Sequence, residues 1–139
     1  MKVIICLDDK LGMAFNKRRQ SRDSEVIKDI CKRLGKESLF AEEYSNMLFD
    51  GSRVNILPLE KAENKDSTLF LERIDPEKYS GDIDVLVIYR WNRHYPSDLK
   101  CTIDMNAFAL SESLEFVGSS HERITREVWK RKLKKQNVN

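Results

Sequence analysis

The sequence has few of the residues that build metal centres and disulfide frameworks. It contains three cysteines, Cys6, Cys31 and Cys101, and two histidines, His94 and His121. The cysteines are widely separated and odd in number, and no CxxC pair is present, which argues against a zinc site or a disulfide framework. Cys6 and Cys31 occupy apolar positions, so we expect both to be buried thiols in a reducing compartment. We predict no metal site.

Long apolar runs and a strong net charge are also absent. No apolar run approaches the roughly 18 residues of a membrane-spanning helix, and the chain opens on a strand pattern rather than a leader. We therefore expect a cytoplasmic protein with no membrane partner. The net charge of +2 is too small to indicate nucleic acid by itself, although basic residues cluster at 17–22 and in the tail. With 139 residues, we expect one domain at 1–130 and a basic, frayed tail at 131–139.

The segment 83–98, IDVLVIYRWNRHYPSD, gives the clearest structural signal. Its apolar run, 85–89, predicts a strand that is buried on both faces. Polar and aromatic side chains follow until Pro96, and groups at the carboxyl end of a buried strand commonly form a site. The residues predicted here to bind a ligand are Arg90, Trp91, Asn92, Arg93, His94 and Tyr95.

These six residues admit both a functional and a structural interpretation. Trp91 or Tyr95 would stack on a heterocycle with an arginine assisting, and His94 would serve as an acid or base near neutral pH. Strict alternation would place one set on the core face and the other on the surface. Those two sets are Arg90, Asn92 and His94 on one face and Trp91, Arg93 and Tyr95 on the other.

A second polar segment lies in the predicted loop 11–22, between the first strand and the first helix. Arginine pairs bind carboxylate or phosphate groups, so this segment is a second part of the predicted site. Its predicted ligand-binding residues are Asn16, Arg18, Arg19, Gln20, Ser21 and Asp23. The alternative is a solvated loop whose arginines pair with nearby acids. The run Ser119-Ser120-His121-Glu122 is predicted to be a hairpin turn, because adjacent residues do not normally form a catalytic triad.

The remaining elements alternate between strands and short helices until a hairpin closes the chain. Asp23 or Ser24 is expected to cap a helix that Gly35 ends. Brief strands are predicted at 39–41, 54–57 and 68–71, with a short helix at 42–49 and another from Asp75-Pro76. Phe108 and Leu110 are assigned to an irregular crossing, and the hairpin to the segments around 114–118 and 124–129. This order predicts a mixed sheet in an α/β domain.

Three passages resemble the dihydrofolate reductase family. They are VIICLDDKLGMAF, LFAEEYSNMLFDG, and VLVIYRWNRHYPSDLKCTID followed by LEFVGSSHERITREVWKR. The resemblance implies a mixed, mostly parallel sheet flanked by short helices, with a C-terminal β-hairpin. The combination of FNKRRQS, YRWNRHYP and GSSHE is also similar to a small bacterial family whose members are sometimes labelled ribonuclease Z. That label requires an HxHxDH cluster holding two zinc ions, which two separated histidines do not supply.

The sequence departs from the reductase pattern where that family binds its substrate and cofactor. Asp23 is the nearest match to the acid that assists pterin protonation, although Ser24 stands at the ungapped position. Residues 18–19, Arg-Arg, replace a Pro-Trp pair. Residues 42–44, Glu-Glu-Tyr, replace the family's phosphate clamp, and residues 72–73, Glu-Arg, replace its Gly-Gly turn. Acidic groups repel a phosphate and bulky residues prevent close backbone approach, so we predict no cofactor and do not expect NADPH.

These observations favour a small-molecule-binding protein that lacks the nicotinamide site. Its ligand would be small and anionic or heterocyclic, held between 18–19 and 90–95. One alternative is a module that binds RNA or another protein through the same arginines and the tail. A second is a divergent NADPH-dependent reductase with Asp23 as proton donor. Whether the protein is an enzyme stays open, and Asp23 and His94 are its only candidate catalytic residues.

Overall fold

The computed structural model describes residues 1–63 and 65–133, which form ten strands, one α-helix and four short 3₁₀ helices. The strands are β1 Lys2–Leu7, β2 Gly12–Phe15, β3 Arg18–Arg19, β4 Leu39–Ala41, β5 Ile56–Pro58, β6 Thr68–Phe70, β7 Val85–Arg90, β8 Leu99–Lys100, β9 Phe108–Phe116 and β10 Ile124–Arg131. The helix α1 spans Ser24–Leu34, and the 3₁₀ helices span Glu43–Phe49, Leu59–Lys61, Pro76–Asp82 and Met105–Ala107.

Seven strands form the main sheet in the order β5-β4-β6-β1-β7-β10-β9, and a small second sheet has the order β3-β2-β8. The five strands from β5 to β7 are parallel, whereas β10 runs antiparallel to both β7 and β9. The predicted mixed, mostly parallel sheet with a C-terminal hairpin is thereby confirmed. Because the five parallel strands end at the same edge of the sheet, loops distant in sequence meet at this carboxyl edge.

Helix α1 forms where its local sequence predicts it. The Asp23 side chain accepts a hydrogen bond from Glu25 N at 2.9 Å as the N-cap, and Gly35 ends the helix at φ 59°. Its residues Val26, Ile30 and Leu34 recur at helical spacing and are buried against the sheet.

The main sheet has an apolar core on each face. On one face, β1 and β7 pack with the second sheet and the segment that follows β8. On the other face, the same strands pack with α1 and the 3₁₀ helix Glu43–Phe49. The first core includes Val3, Ile5, Leu86, Ile88, Met13 and Cys101; the second includes Ile4, Val87, Tyr89, Ile30, Phe49 and Trp91. Both faces of β7 are therefore covered, as its continuous apolar run predicts.

Two segments differ from the sequence-based assignment. The predicted loop 11–22 contains β2 and β3, joined by Asn16 and Lys17 at φ 53° and 61°, as in a tight hairpin turn. The predicted irregular crossing at Phe108 and Leu110 is the start of β9. The pairing of β9 with β10 shifts register between Val128 and Trp129, and this irregularity interrupts the alternation that identifies a strand.

Two further expectations concern the ends of the domain and the thiols. Arg131 is still paired in β10, one residue past the predicted domain boundary, and residues 134–139 lie outside the described residues. Cys6 and Cys31, which we expected to be buried, are half-buried, whereas Cys101 is buried. None of the helices in the described ranges has the length and apolar character needed to cross a membrane.

Candidate functional site

Asp8 joins the two polar segments at the carboxyl edge of the sheet. Its carboxylate accepts hydrogen bonds from Gln20 Nε2 at 3.1 Å and from the backbone N–H of Tyr95 at 3.1 Å. Gln20 Nε2 also donates to the carbonyl of Pro96 at 3.2 Å. Burial opposes ionisation of Asp8, but backbone N–H groups, led by that of Gly12, outweigh it and lower its pKa. Segments 16–23 and 90–95 therefore meet at one edge of the sheet.

Residues of both segments line a shallow cavity of about 400 Å³, which we call the Arg18–Tyr95 cavity. Its lining residues are Phe15, Asn16, Arg18, Arg19, Gln20, Tyr95 and Pro96. The Phe15 ring is 50% exposed, so an aromatic surface faces solvent at the rim. Arg18 is exposed, and its guanidinium makes no hydrogen bond or ion pair within the described parts of the chain. The cavity thus presents an uncompensated positive charge beside two aromatic rings.

Arg19, by contrast, is committed to contacts within the protein. Its Nε and Nη2 atoms donate to the Glu72 carboxylate at 2.7 and 3.0 Å, and Ser45 Oγ donates to the same carboxylate at 2.7 Å. The guanidinium also lies 4.2 Å from the centre of the Tyr44 ring. These contacts, above all the hydrogen bond to Glu72, raise the pKa of Arg19. Arg19 therefore fixes β3 to the segment after β6 and to the 3₁₀ helix Glu43–Phe49, and it leaves Arg18 as the free cation of the pair.

Asp23 is buried and its carboxylate is surrounded by donors. It accepts hydrogen bonds from the backbone N–H groups of Ser119 at 2.8 Å, Ser120 at 2.9 Å and Glu25 at 2.9 Å. The hydroxyls of Ser119 and Ser120 and the ring of His121 complete the shell. Burial would raise the pKa of Asp23, but the Ser119 and Ser120 N–H groups, then His121 and Glu25, hold the pKa well below its usual range.

His121 connects Asp23 to the wall of the Arg18–Tyr95 cavity. Its Nδ1 lies 2.9 Å from Asp23 Oδ2, and its Nε2 lies 2.8 Å from the Tyr95 hydroxyl and 3.2 Å from Ser21 Oγ. The ring is only 3% exposed and stacks on Trp91 with 4.6 Å between ring centres. A charged carboxylate, an imidazole and two hydroxyls therefore form one continuous network.

His121 belongs to this network, although the sequence predicts it only as part of a turn. The turn prediction rested only on the residues next to His121. Its partners Asp23 and Ser21 lie about 100 residues earlier in the chain. The run of two serines before a histidine was the available signal, because these short donors can enclose a carboxylate. Glu72 and Tyr44, which hold Arg19, were likewise absent from the predicted site.

The side chains of residues 90–95, at the end of β7, do not form one site but lie in different parts of this edge of the sheet. Strand β7 ends at Arg90, and Asn92 has φ 57°, so alternation does not continue to Tyr95 as predicted. Arg90 pairs with Glu127 at 2.8 Å. Asn92 Nδ2 donates to Thr125 Oγ1 at 2.9 Å, which ties the end of β7 to β10.

Trp91, Arg93 and His94, like Arg90 and Asn92, do not line the Arg18–Tyr95 cavity. Trp91 is 4% exposed, and one face of its ring is covered by His121. Trp91 and Arg93 line a different shallow cavity of about 380 Å³. His94 is exposed, with Nδ1 3.8 Å from Asp8 Oδ2. Their predicted roles in ligand binding, and that of His94 in catalysis, stay predictions.

Two larger clefts flank this region. One, of about 740 Å³, lies beside β4 and β5 and is lined by Glu42, Glu43, Glu60, Arg73 and Lys78 among others. The other, of about 650 Å³, lies between α1 and the 3₁₀ helix Glu43–Phe49. Within ranges 1–63 and 65–133, no group of three or more metal-binding side chains is arranged to hold an ion.

Comparison with known proteins relates the chain to others by fold. No family model matches the sequence. No curated protein matches it either. A solved structure of dihydrofolate reductase from Enterococcus faecalis, complexed with NADP(H) and RAB-propyl, matches with a TM-score of 0.67 at 10% identity, covering 95% of this chain and 96% of that chain. The resemblance to the small bacterial family stays an expectation, whereas the expected architecture is confirmed: the chain has a dihydrofolate-reductase-like fold.

Proposed function

We propose that the protein binds a small anionic heteroaromatic molecule in the Arg18–Tyr95 cavity. The observation that carries this proposal is the convergence of Arg18, Phe15 and Tyr95 on one cavity. A free guanidinium binds a carboxylate through two parallel hydrogen bonds, and the aromatic rings offer faces for a planar ligand. The volume of about 400 Å³ falls in the range of small-molecule sites.

The pairing of two other arginines with acids favours a local site over an extended nucleic-acid surface. Arg73 pairs with Glu42 at 3.0 Å, and Arg90 with Glu127 at 2.8 Å. A guanidinium whose charge is compensated attracts phosphates weakly, so these side chains add little to a continuous positive surface. The remaining exposed cation at the cavity suits one anionic group.

The charges around Asp23 and the larger cleft disfavour a reductase. The Asp23 carboxylate is enclosed by hydrogen-bond donors from Ser119, Ser120 and His121, which leaves it poorly placed to protonate a bound molecule. Three glutamates face two basic residues in the 740 Å³ cleft, an unfavourable setting for a polyphosphate. We therefore propose a protein that binds its ligand without NADPH.

The proposal is tested with picolinate and benzoate, a heteroaromatic and an aromatic carboxylate of matched charge. Titration followed by two-dimensional ¹H–¹⁵N NMR is expected to shift the amides of residues 15–20 and 95 more strongly than those elsewhere. Arg18→Ala should weaken binding about 10-fold or more, because a charge-assisted bidentate contact contributes roughly 1.5–3 kcal/mol. Picolinate should bind more tightly than benzoate if the site recognises a heterocycle.

Arg53→Ala is the matched control, since Arg53 is exposed and makes no side-chain hydrogen bond or ion pair among the described residues. It should leave both affinities unchanged. Absence of shifts at the cavity with millimolar probe, or equal weakening by both substitutions, would contradict the proposed site.

A further inference from the structure

Ser21, His121 and Asp23 have the relative positions of a nucleophile, a base and an orienting acid. Ser21 Oγ lies 3.2 Å from His121 Nε2, and His121 Nδ1 lies 2.9 Å from Asp23 Oδ2. Both distances are within the reach expected of an activated hydroxyl and its base. The three residues come from two distant parts of the chain, so the geometry is a product of the fold.

The acid and the base are buried, whereas the hydroxyl is more exposed, as a nucleophile that must reach a substrate requires. Asp23 and His121 are 2% and 3% exposed, whereas Ser21 is half-buried. Stacking on Trp91 fixes the plane of the imidazole, and backbone N–H groups from residues 119 and 120 fix the carboxylate. The base is therefore held rigidly and shielded, while the hydroxyl lies nearer to solvent.

The charge of Asp23 sets the hydrogen-bonding roles of the ring. Its carboxylate is ionised at neutral pH and accepts a hydrogen bond from the Nδ1–H group of His121, which leaves the lone pair on Nε2 directed at the hydroxyls. Tyr95 is the second hydroxyl at Nε2 and lies 3.4 Å from Ser21 Oγ. Because the Tyr95 ring lines the Arg18–Tyr95 cavity, a molecule bound there lies next to this pair.

We propose that Ser21 is a nucleophile that cleaves carboxylic esters, with His121 as base and Asp23 as its orienting partner. Ser21 Oγ forms a bond to the acyl carbon while its proton passes to His121 Nε2. Collapse of the tetrahedral adduct breaks the bond to the leaving alcohol, which takes that proton from Nε2. Water then adds to the acyl-serine and gives a proton to Nε2. The bond between Ser21 Oγ and the acyl carbon breaks, Oγ takes that proton back, and a carboxylic acid is released. The location of the substrate rests on the proposed binding cavity, whereas the reactivity of Ser21 does not.

An alkyl fluorophosphonate tests that reactivity without knowledge of the substrate. Ser21 Oγ would form a bond to phosphorus, fluoride would leave, and His121 would take the proton. Intact-mass spectrometry of the native chain should show one adduct, mapped to Ser21 by fragmentation. Ser21→Ala should abolish it, and His121→Gln should slow it at least about 100-fold, the contribution expected of a general base.

The controls separate reactivity from folding and from ligand binding. Ser111→Ala, at an exposed position of β9, should label at the wild-type rate. Circular dichroism should show that Ser21→Ala keeps the fold. Ser21→Ala should lose labelling yet keep picolinate binding, so failure of one proposal is distinguishable from failure of the other.

Three results would overturn the assignment of Ser21. They are absence of an adduct on the native wild-type chain, an adduct on Tyr95 instead, and undiminished labelling of a folded His121→Gln variant.

Discussion

Asp23→Asn keeps the size of the side chain but removes its charge from a site that is 2% exposed. The carboxylate accepts three backbone N–H bonds of 2.8 to 2.9 Å and pairs with His121. An amide has a single acceptor oxygen, so at least one of these buried donors is left without a partner. A buried donor left unpaired costs about 1–3 kcal/mol. We expect the free energy of unfolding to fall by about 3 kcal/mol, because several buried donors then compete for one acceptor oxygen.

The effect of this substitution should depend on pH in a defined direction. The folded-state pKa of Asp23 lies below its usual range, so the ionised group stabilises the fold at every pH above the unfolded value of about 3.9. That contribution is progressively lost as the pH falls below this value towards the folded pKa. The difference between wild type and Asp23→Asn should therefore be present at pH 7 and should shrink in buffers more acidic than about pH 4.

Urea unfolding at 25 °C measures the change in the free energy of unfolding and, when repeated in buffers of different pH, its pH dependence. Tryptophan fluorescence and far-UV circular dichroism serve as independent signals. Asp9→Asn is the matched control, because Asp9 is exposed and its side chain makes no hydrogen bond or ion pair in the described ranges. It should change the unfolding free energy by less than about 0.5 kcal/mol. An equally small effect of Asp23→Asn at pH 7, or a difference that persists unchanged in acid, would refute the role assigned to the carboxylate.

One further substitution, Gly118→Ala, and one chemical modification, alkylation of Cys101, test how tightly the protein is packed. A Cβ added at Gly118 would overlap the Asp23 carboxylate and lie 2.8 Å from the carbonyl oxygen of residue 121, so Gly118→Ala should destabilise the fold by about 1–3 kcal/mol in urea unfolding. Gly81→Ala, where nothing lies within 4 Å, should have little effect, and equal effects would contradict the close approach at Gly118. Burial raises the pKa of Cys101 to about 11, so this thiol should resist alkylation at pH 8 until urea unfolds the chain. Rapid modification of Cys101 in the native protein, detected by mass spectrometry, would show that it is accessible.

The elements that the sequence predicts correctly are those specified by neighbouring residues. Helix α1 has its cap at Asp23, its buried positions at helical spacing and its stop at Gly35. Strand β7 is a continuous run of branched apolar residues, which suits a strand with both faces covered. In both cases the signal lies within about a dozen residues of sequence.

The missed strands are those that depend on partners elsewhere in the chain. Strands β2 and β3 have four and two residues, and they are stabilised by pairing with each other and with β8. The assignment of β9 was obscured by the irregular register that it shares with β10. Pairing across long separations leaves little trace in local composition, so short or irregular strands are the hardest to identify.

The site divides in the same way between local and non-local information. Arg18 and Tyr95 were predicted as ligand-binding residues because their chemistry is visible in the sequence, and the fold places both at one cavity. The role of Glu72 in neutralising Arg19 was not visible, since 53 residues separate the two. Charge compensation therefore decides which of two adjacent arginines is free to bind, and it requires the folded structure.

The Asp23 carboxylate both caps helix α1 and orients the ring of His121. In this chain the turn before β10 supplies Ser119, Ser120 and His121 to enclose the carboxylate, so its negative charge acts on the imidazole. A carboxylate surrounded by donors is a poor proton donor but a good partner for a protonated ring. The same burial that stabilises the start of α1 therefore also orients His121 towards Ser21 and Tyr95. Stability and reactivity should respond together to substitutions at Asp23, whereas Ser21→Ala should remove reactivity and leave most of the stability intact.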